Sequence, residues 1–171
     1  MTQLAITVLG HDRPGIIAEA TRALADLGLN IEDSTMTLLR GHFAMMLISE
    51  GAHDAAEVEE TLAPLTADGT LSVSVREVPL EELASATATY LLSVHGGDRP
   101  GIVSRLVGEV AAAGGNITDL ATRLAGDLYV LTAEVDLPAG VDASSLEAAL
   151  KAVANDLGVG ASLRPLEADE L

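Results

Sequence analysis

Gly10-His11-Asp12-Arg13-Pro14-Gly15-Ile16-Ile17 returns as Gly96-Gly97-Asp98-Arg99-Pro100-Gly101-Ile102-Val103, at an offset of 86 residues (96 − 10). Each copy follows a short alternating apolar run and opens an amphipathic one, so each reads as the turn from a strand into a helix. Upstream, Leu4, Ile6 and Val8 alternate with Ala5, Thr7 and Leu9, the pattern of a strand lying on a core. Downstream, Ile16, Ile17, Ala20, Leu24 and Leu27 recur at helical spacing, which predicts a one-faced helix over roughly residues 15–28, ended by Gly28.

From Asn30-Ile31 the chain extends to Arg40-Gly41 and returns through His42 to Ile48, a hairpin pattern. A second helix is expected from Asp54 to Thr66, with Val58, Leu62 and Leu65 inward, and Leu71, Val73 and Val75 alternate in a last strand. The order is βαββαβ. The same order follows in the second half, where Val94, Ala111, Gly114, Asn116, Ile117, Asp119 and Leu124 repeat Val8, Ala25, Gly28, Asn30, Ile31, Asp33 and Leu38. Gly126-Asp127 marks its hairpin, Leu146, Leu150, Val153 and Leu157 its second helix, and Gly160 to Leu166 a strand whose Pro165 requires an edge or end position. The fold class is α+β: two units of about 80 residues, over 1–78 and 89–171, joined by a linker over 79–88 and followed by a solvated tail from Glu167 to Leu171. Met36, Met45 and Met46 are expected to fill the core.

Composition excludes several functions. A formal charge of −17 with a single lysine, Lys151, opposes the phosphate neutralisation that nucleic-acid binding needs. Three aromatic residues, Phe43, Tyr90 and Tyr129, make no base-stacking platform. There is no cysteine for disulfides, thiolate ligands or a nucleophile. His11, His42, His53 and His95 lack paired ligand spacing, so neither a metal nor another cofactor is expected. No run approaches the ~20 apolar residues of a membrane span, and Met1-Thr2-Gln3-Leu4 lacks the basic start of a signal peptide. A cytoplasmic protein is the expectation.

At the repeated loop, Asp12 and Asp98 stand three residues before Gly15 and Gly101, the spacing of a side chain that caps the third helical N–H. Pro14 and Pro100 suit a first helical turn. Gly10, Gly15, Gly96 and Gly101 clear the backbone for close approach, so a carboxylate could accept the amides of Gly15, Ile16 and Ile17. Asn30 and Asn116 offer both a donor and an acceptor, and the combination suits a small zwitterion. Because His11 becomes Gly97 and Leu29 becomes Gly115, the two sites are expected to differ in affinity.

The βαββαβ order, with Gly-x-Asp-Arg-Pro-Gly-Ile after the first strand and Gly-x-Asn-Ile before the second, resembles the ACT domain in both halves. The tandem arrangement is similar to the glycine cleavage system transcriptional repressor family. The resemblance implies a ferredoxin-like fold and an amino-acid site formed where units meet. That site would use Gly10, His11, Asp12, Arg13, Gly15, Ile16, Asn30 and Ile31, with Gly96, Gly97, Asp98, Arg99, Gly101, Ile102, Asn116 and Ile117 in the second copy. It further implies a non-catalytic regulator, a homodimer, acting on a protein partner rather than on DNA. Two alternatives follow from the same residues. One is a ligand-free adaptor or dimerisation module. The other is an acylphosphatase-like enzyme using Arg13 or Arg99, opposed by the nearby Asp12 and Asp98, which repel phosphate.

Overall fold

The computed structural model describes residues 1–81 and 88–166, which fall into two units divided after Glu82. Most of the expected linker, and the whole expected tail, lie outside the described residues.

In the first unit the alternating run forms β1 (Thr2–His11), whose Leu4, Ile6 and Val8 are fully buried. It is followed by α1 (Ile16–Asp26), β2 (Asn30–Leu39), β3 (His42–Gly51), α2 (Ala55–Leu62), a 3-10 turn (Ala63–Thr66) and β4 (Leu71–Val78). The sheet order is β2-β3-β1-β4, all antiparallel, with β1 paired on both sides. One face of the sheet packs against the helices through Ile16, Ala20, Leu24, Val58 and Leu62. The second unit repeats this with β5 (Ala88–Gly97), α3 (Ile102–Ala112), β6 (Asn116–Ala125), β7 (Leu128–Leu137), α4 (Ala143–Leu157) and β8 (Val159–Pro165), in the order β6-β7-β5-β8. Both units are ferredoxin-like βαββαβ sandwiches of one sheet and two helices. Pro165 sits on β8, an edge strand with β5 as its one neighbour, where a missing N–H costs no ladder bond.

Several local expectations are corrected. The strand β1 runs through Gly10 and His11 instead of ending before them, because both residues pair with β3 at Phe43 and His42. Helix α2 stops at Leu62 rather than Thr66, since Pro64 cannot donate the bond that would continue it, and the chain tightens into the 3-10 turn. Its start is stronger than acidity alone suggested: the Glu57 amide donates to the Asp54 carboxylate at 2.9 Å and the Asp54 amide donates to the Glu57 carboxylate at 3.2 Å, a reciprocal cap. Of the three methionines assigned to the core only Met45 is buried, while Met36 and Met46 are 44% and 45% exposed. Ile17 is also exposed, because the core face of α1 is the narrow row Ile16, Ala20 and Leu24, and Ile17 lies a further 100° around the helix.

Comparing the copies explains one of their differences. Leu29 is buried, and a side chain on Gly51 would collide with it. In the second unit the bulk is exchanged: position 29 becomes Gly115 and position 51 becomes Leu137, which is 3% exposed. A Cβ on Gly115 would stand 3.0 Å from the Leu137 side chain. The change from Leu29 to Gly115 is therefore a matter of core packing. It no longer argues that the two loops differ in affinity.

Two consequences are measurable. Ser49 is fully buried and its hydroxyl has no partner among the described residues, whereas the matching position in the second unit is Val135, also fully buried. Ser49→Ala is expected to stabilise the first unit by about 1 kcal/mol, read as a raised Tm in calorimetry. Gly51→Leu is expected to cost about 2 kcal/mol through overpacking, and the double change Leu29→Gly with Gly51→Leu to recover most of it, as denaturant titration of the three proteins would show.

Candidate functional site

The repeated loop begins where β1 leaves the sheet. The His11 amide donates to the Thr70 carbonyl at 3.1 Å and the Asp12 amide to the Gly41 carbonyl at 2.9 Å, so the chain is held to β4 on one side and to the β2–β3 hairpin on the other. The Asp12 side chain does not cap the helix. Gly15 is the N-cap, left-handed at φ 92°, with no side-chain bond, and Gly101 matches it at φ 92°. Pro14 and Pro100 thus precede the cap and are not in the first helical turn, which corrects both assignments. An L side chain is strained at that φ. With the cap supplied by backbone geometry, the amides of Gly15, Ile16 and Ile17 have no acceptor among the described residues.

Gly10 has a different reason to be glycine from the one expected. A Cβ there would collide with the Thr70 carbonyl, so the close neighbour is the chain's own β4; in the second unit Val159 takes that place against Gly96. Gly15 is the open one, since a Cβ would meet nothing nearer than a Glu19 carboxylate oxygen at 3.4 Å.

Next to these amides lies a cavity of about 440 Å³, walled by Asp12, Arg13 and Gly15 and floored by Ile17, Met36 and Phe43. Sequence periodicity assigned Ile17 and Met36 to the core and so missed this floor. The signal was available in the register, where Met36 pairs with Met45 and Leu38 with Phe43 on one face. A larger groove of about 480 Å³ lies on the opposite, open face of the first sheet, among Thr7, Leu9, Thr35, Thr37, Met46 and Ser74. Its walls are methyl and hydroxyl groups without a charge, a poor match for a zwitterion.

Arg13 makes a two-pronged ion pair with Glu19, at 2.8 and 2.9 Å. The hydrogen bond from Arg13 holds the Glu19 carboxyl below the usual glutamate range, and the same bond raises the guanidinium. The six-residue spacing of this pair follows no helical rule, because Arg13 lies outside the helix, so spacing alone does not reveal it. His11 faces His42 across the sheet, ring centroids 6.4 Å apart, and its Nδ1 lies 3.0 Å from the Asp12 carbonyl. No group of three metal-ligating side chains gathers among the described residues.

The predicted asparagines stand elsewhere. Asn30 is exposed and pairs with Glu50, which pairs with Gln3, at the far end of β1 from Gly10. Gln3 stands seven residue steps along the strand from Gly10, roughly 23 Å at the rise of an extended chain. The half-buried Ile31 beside it packs on the core. Asn116, exposed, and Ile117, half-buried, repeat this against Asp136 and Val135. Within one unit, the loop and the asparagine cannot touch one small molecule.

The comparisons agree with this architecture. The ACT domain family matches the chain twice, over residues 2–76 and 88–163. The glycine cleavage system transcriptional repressor of Escherichia coli K12 is 30% identical over 169 residues, covering 94% of this chain and 88% of that protein. A crystal structure of a protein of unknown function from Galdieria sulphuraria superposes with a TM-score of 0.83 at 28% identity, covering 97% of this chain and 99% of the other. Another, described as a glycine cleavage system transcriptional repressor, has a TM-score of 0.74 at 21% identity over 98% of both chains and shares the fold. Two copies of the loop, two sheets of the same order and a family match over both halves lead to one conclusion: this chain belongs to the ACT domain family, as a tandem pair of ACT units.

Proposed function

We propose that the chain is a non-catalytic regulator in the cytoplasm, a homodimer that senses a small amino acid at its first-strand loops and acts through contact with a regulatory protein. The observation that carries this is the full-length likeness to a transcriptional repressor named for glycine cleavage, joined to a loop whose helix-entry amides are left without acceptors. A carboxylate on those amides gains several charge-assisted hydrogen bonds. The partner is a protein rather than DNA, since the chain carries −17 and nine basic residues in all.

The separation of the loop from Asn30 shapes the mechanism. The loop supplies the amides and the Arg13 or Arg99 region, and the Asn30 or Asn116 region of the same unit stands too far away to share the ligand. Binding then favours one state of the protein over another, and the partner responds to that state.

A specific observation favours the competing, ligand-free adaptor: Gly10 and Gly96 are required by the chain's own strand packing, so half of the loop glycines need no ligand to explain them. Thermal denaturation against the twenty common amino acids separates the two. An amino acid at 100 times its Kd adds about 2.7 kcal/mol, a rise of several degrees in Tm for units of this size. A flat response to all twenty at about 10 mM, or at the solubility limit of the less soluble ones, leaves the adaptor standing. Sedimentation equilibrium of the same protein is expected to give twice the chain mass.

A further inference from the structure

The two units share a sheet order but differ on the face that the helices leave open. In the first unit three rows cross the two central strands there: Ala5 beside Ile48, Thr7 beside Met46 and Leu9 beside Ala44. Each row ends on the outer strands, and only the Ala5 row ends in charge, with Asp33 on β2 and Arg76 on β4. The second unit is built otherwise. Its matching positions carry Glu134 for Ile48, Arg123 for Thr37 and His95 for Leu9. In the first unit Leu9 and Met46 stay 55% and 45% exposed, an apolar face left to water where the repeat shows that the fold accepts charge.

Size alternates across every row. Ile48, Met46 and Leu9 are large, and their direct neighbours Ala5, Thr7 and Ala44 are smaller. A two-fold axis lying in this face, parallel to the strands and between β1 and β3, sets each row of a second copy over the same row with its two ends exchanged. Leu9 of one copy then lies over Ala44 of the other, Met46 over Thr7 and Ile48 over Ala5, so that bulk meets hollow at each position. The same rotation carries Arg76, on the β4 edge, over Asp33, on the β2 edge. Neither has an ion-pair partner among the described residues, and the symmetry makes two such pairs. Sheets packed face to face run nearly aligned about 10 Å apart, a gap that an arginine and an aspartate at the rim span. Four strands by about eight residues measure roughly 19 by 26 Å, so two copies bury on the order of 1,000 Å², enough for a specific interface when the fit is good. A chain of charge −17 repels its own copy, and uncharged central rows add nothing to that repulsion.

We infer that the open face of the first sheet is the surface on which two copies of this chain pair, about a two-fold axis parallel to its strands. This deepens the homodimer proposed above and rests on it. The groove of about 480 Å³ on this face is the space that Leu9 and Met46 of the second copy fill. The second sheet, with Glu134 and Arg123 on its open face, stays out of the contact.

The test is sedimentation equilibrium of the full chain and its variants over a dilution series from tens of micromolar. The native chain is expected at twice its mass. Met46→Arg sets a charge at the centre of each face and is expected to weaken pairing about a hundredfold or more, while Thr132→Arg, at the matching place in the second sheet, leaves it unchanged. Arg76→Asp turns acid toward acid at both edges and is expected to weaken pairing about tenfold, and adding Asp33→Arg restores it to within about threefold of native. Met46, Arg76 and Asp33 are all exposed, and unchanged circular dichroism verifies the fold of each variant. The rescue depends on β4 of one copy lying over β2 of the other, so it reports the geometry even if Met46→Arg fails to fold. Pairing indifferent to Met46→Arg, or a double reversal no better than Arg76→Asp alone, overturns this assignment and leaves the homodimer intact. A native chain at its single mass overturns the homodimer, and this inference with it.

Discussion

The left-handed turn at Gly15, repeated at Gly101, is the constraint on which the rest of each unit depends. It lets the central strand leave the sheet and enter a helix that lies back across the same sheet within four residues. Because backbone geometry makes this turn, no side chain is needed to close the helix, and the entry amides keep their hydrogen-bonding capacity. A side-chain cap of the usual kind would occupy one of them. The fold thus creates an anion-facing edge as a by-product of connecting its first two elements, and every unit built on this connection inherits it.

What each unit then does with that edge is set by charges from elsewhere in the chain. In the first unit Glu19 reaches back from the helix to the loop arginine, and in the second unit the same helix position sends Arg105 away toward α4. The backbone is the same in both cases. The side chains over it differ, so one scaffold carries two loops of different charge in a single polypeptide.

Much of this was legible in the residues. Leu4, Ile6 and Val8 specified a strand with one buried face, Arg40-Gly41 a two-residue hairpin, and the 86-residue offset a second unit of the same order, because these are short-range patterns with period 2 or fixed turn chemistry. The helix entry differs from its reading for a physical reason: Asp12 stands at capping spacing in sequence, but the left-handed Gly15 at φ 92° is the N-cap and no side chain bonds there. Met36 and Ile17 were misplaced because hydrophobicity marks a face and does not say where the neighbouring element ends. The pair Arg13 and Glu19, the Gly10 and Thr70 contact, and the separation of Asn30 from the loop all depend on which strands are neighbours, and strand order is a property of the assembled sheet.

The reciprocal exchange of Leu29 and Gly51 for Gly115 and Leu137 also bears on how such a chain evolves. Two repeats within one gene tend to be homogenised by recombination between their halves. Here a crossover falling between the two exchanged positions would join Leu29 to Leu137, with more volume than the space admits, or Gly115 to Gly51, leaving it empty. Most such recombinants would carry a mispacked unit and be lost. The complementary packing therefore selects against crossovers whose ends fall between the two positions of a unit.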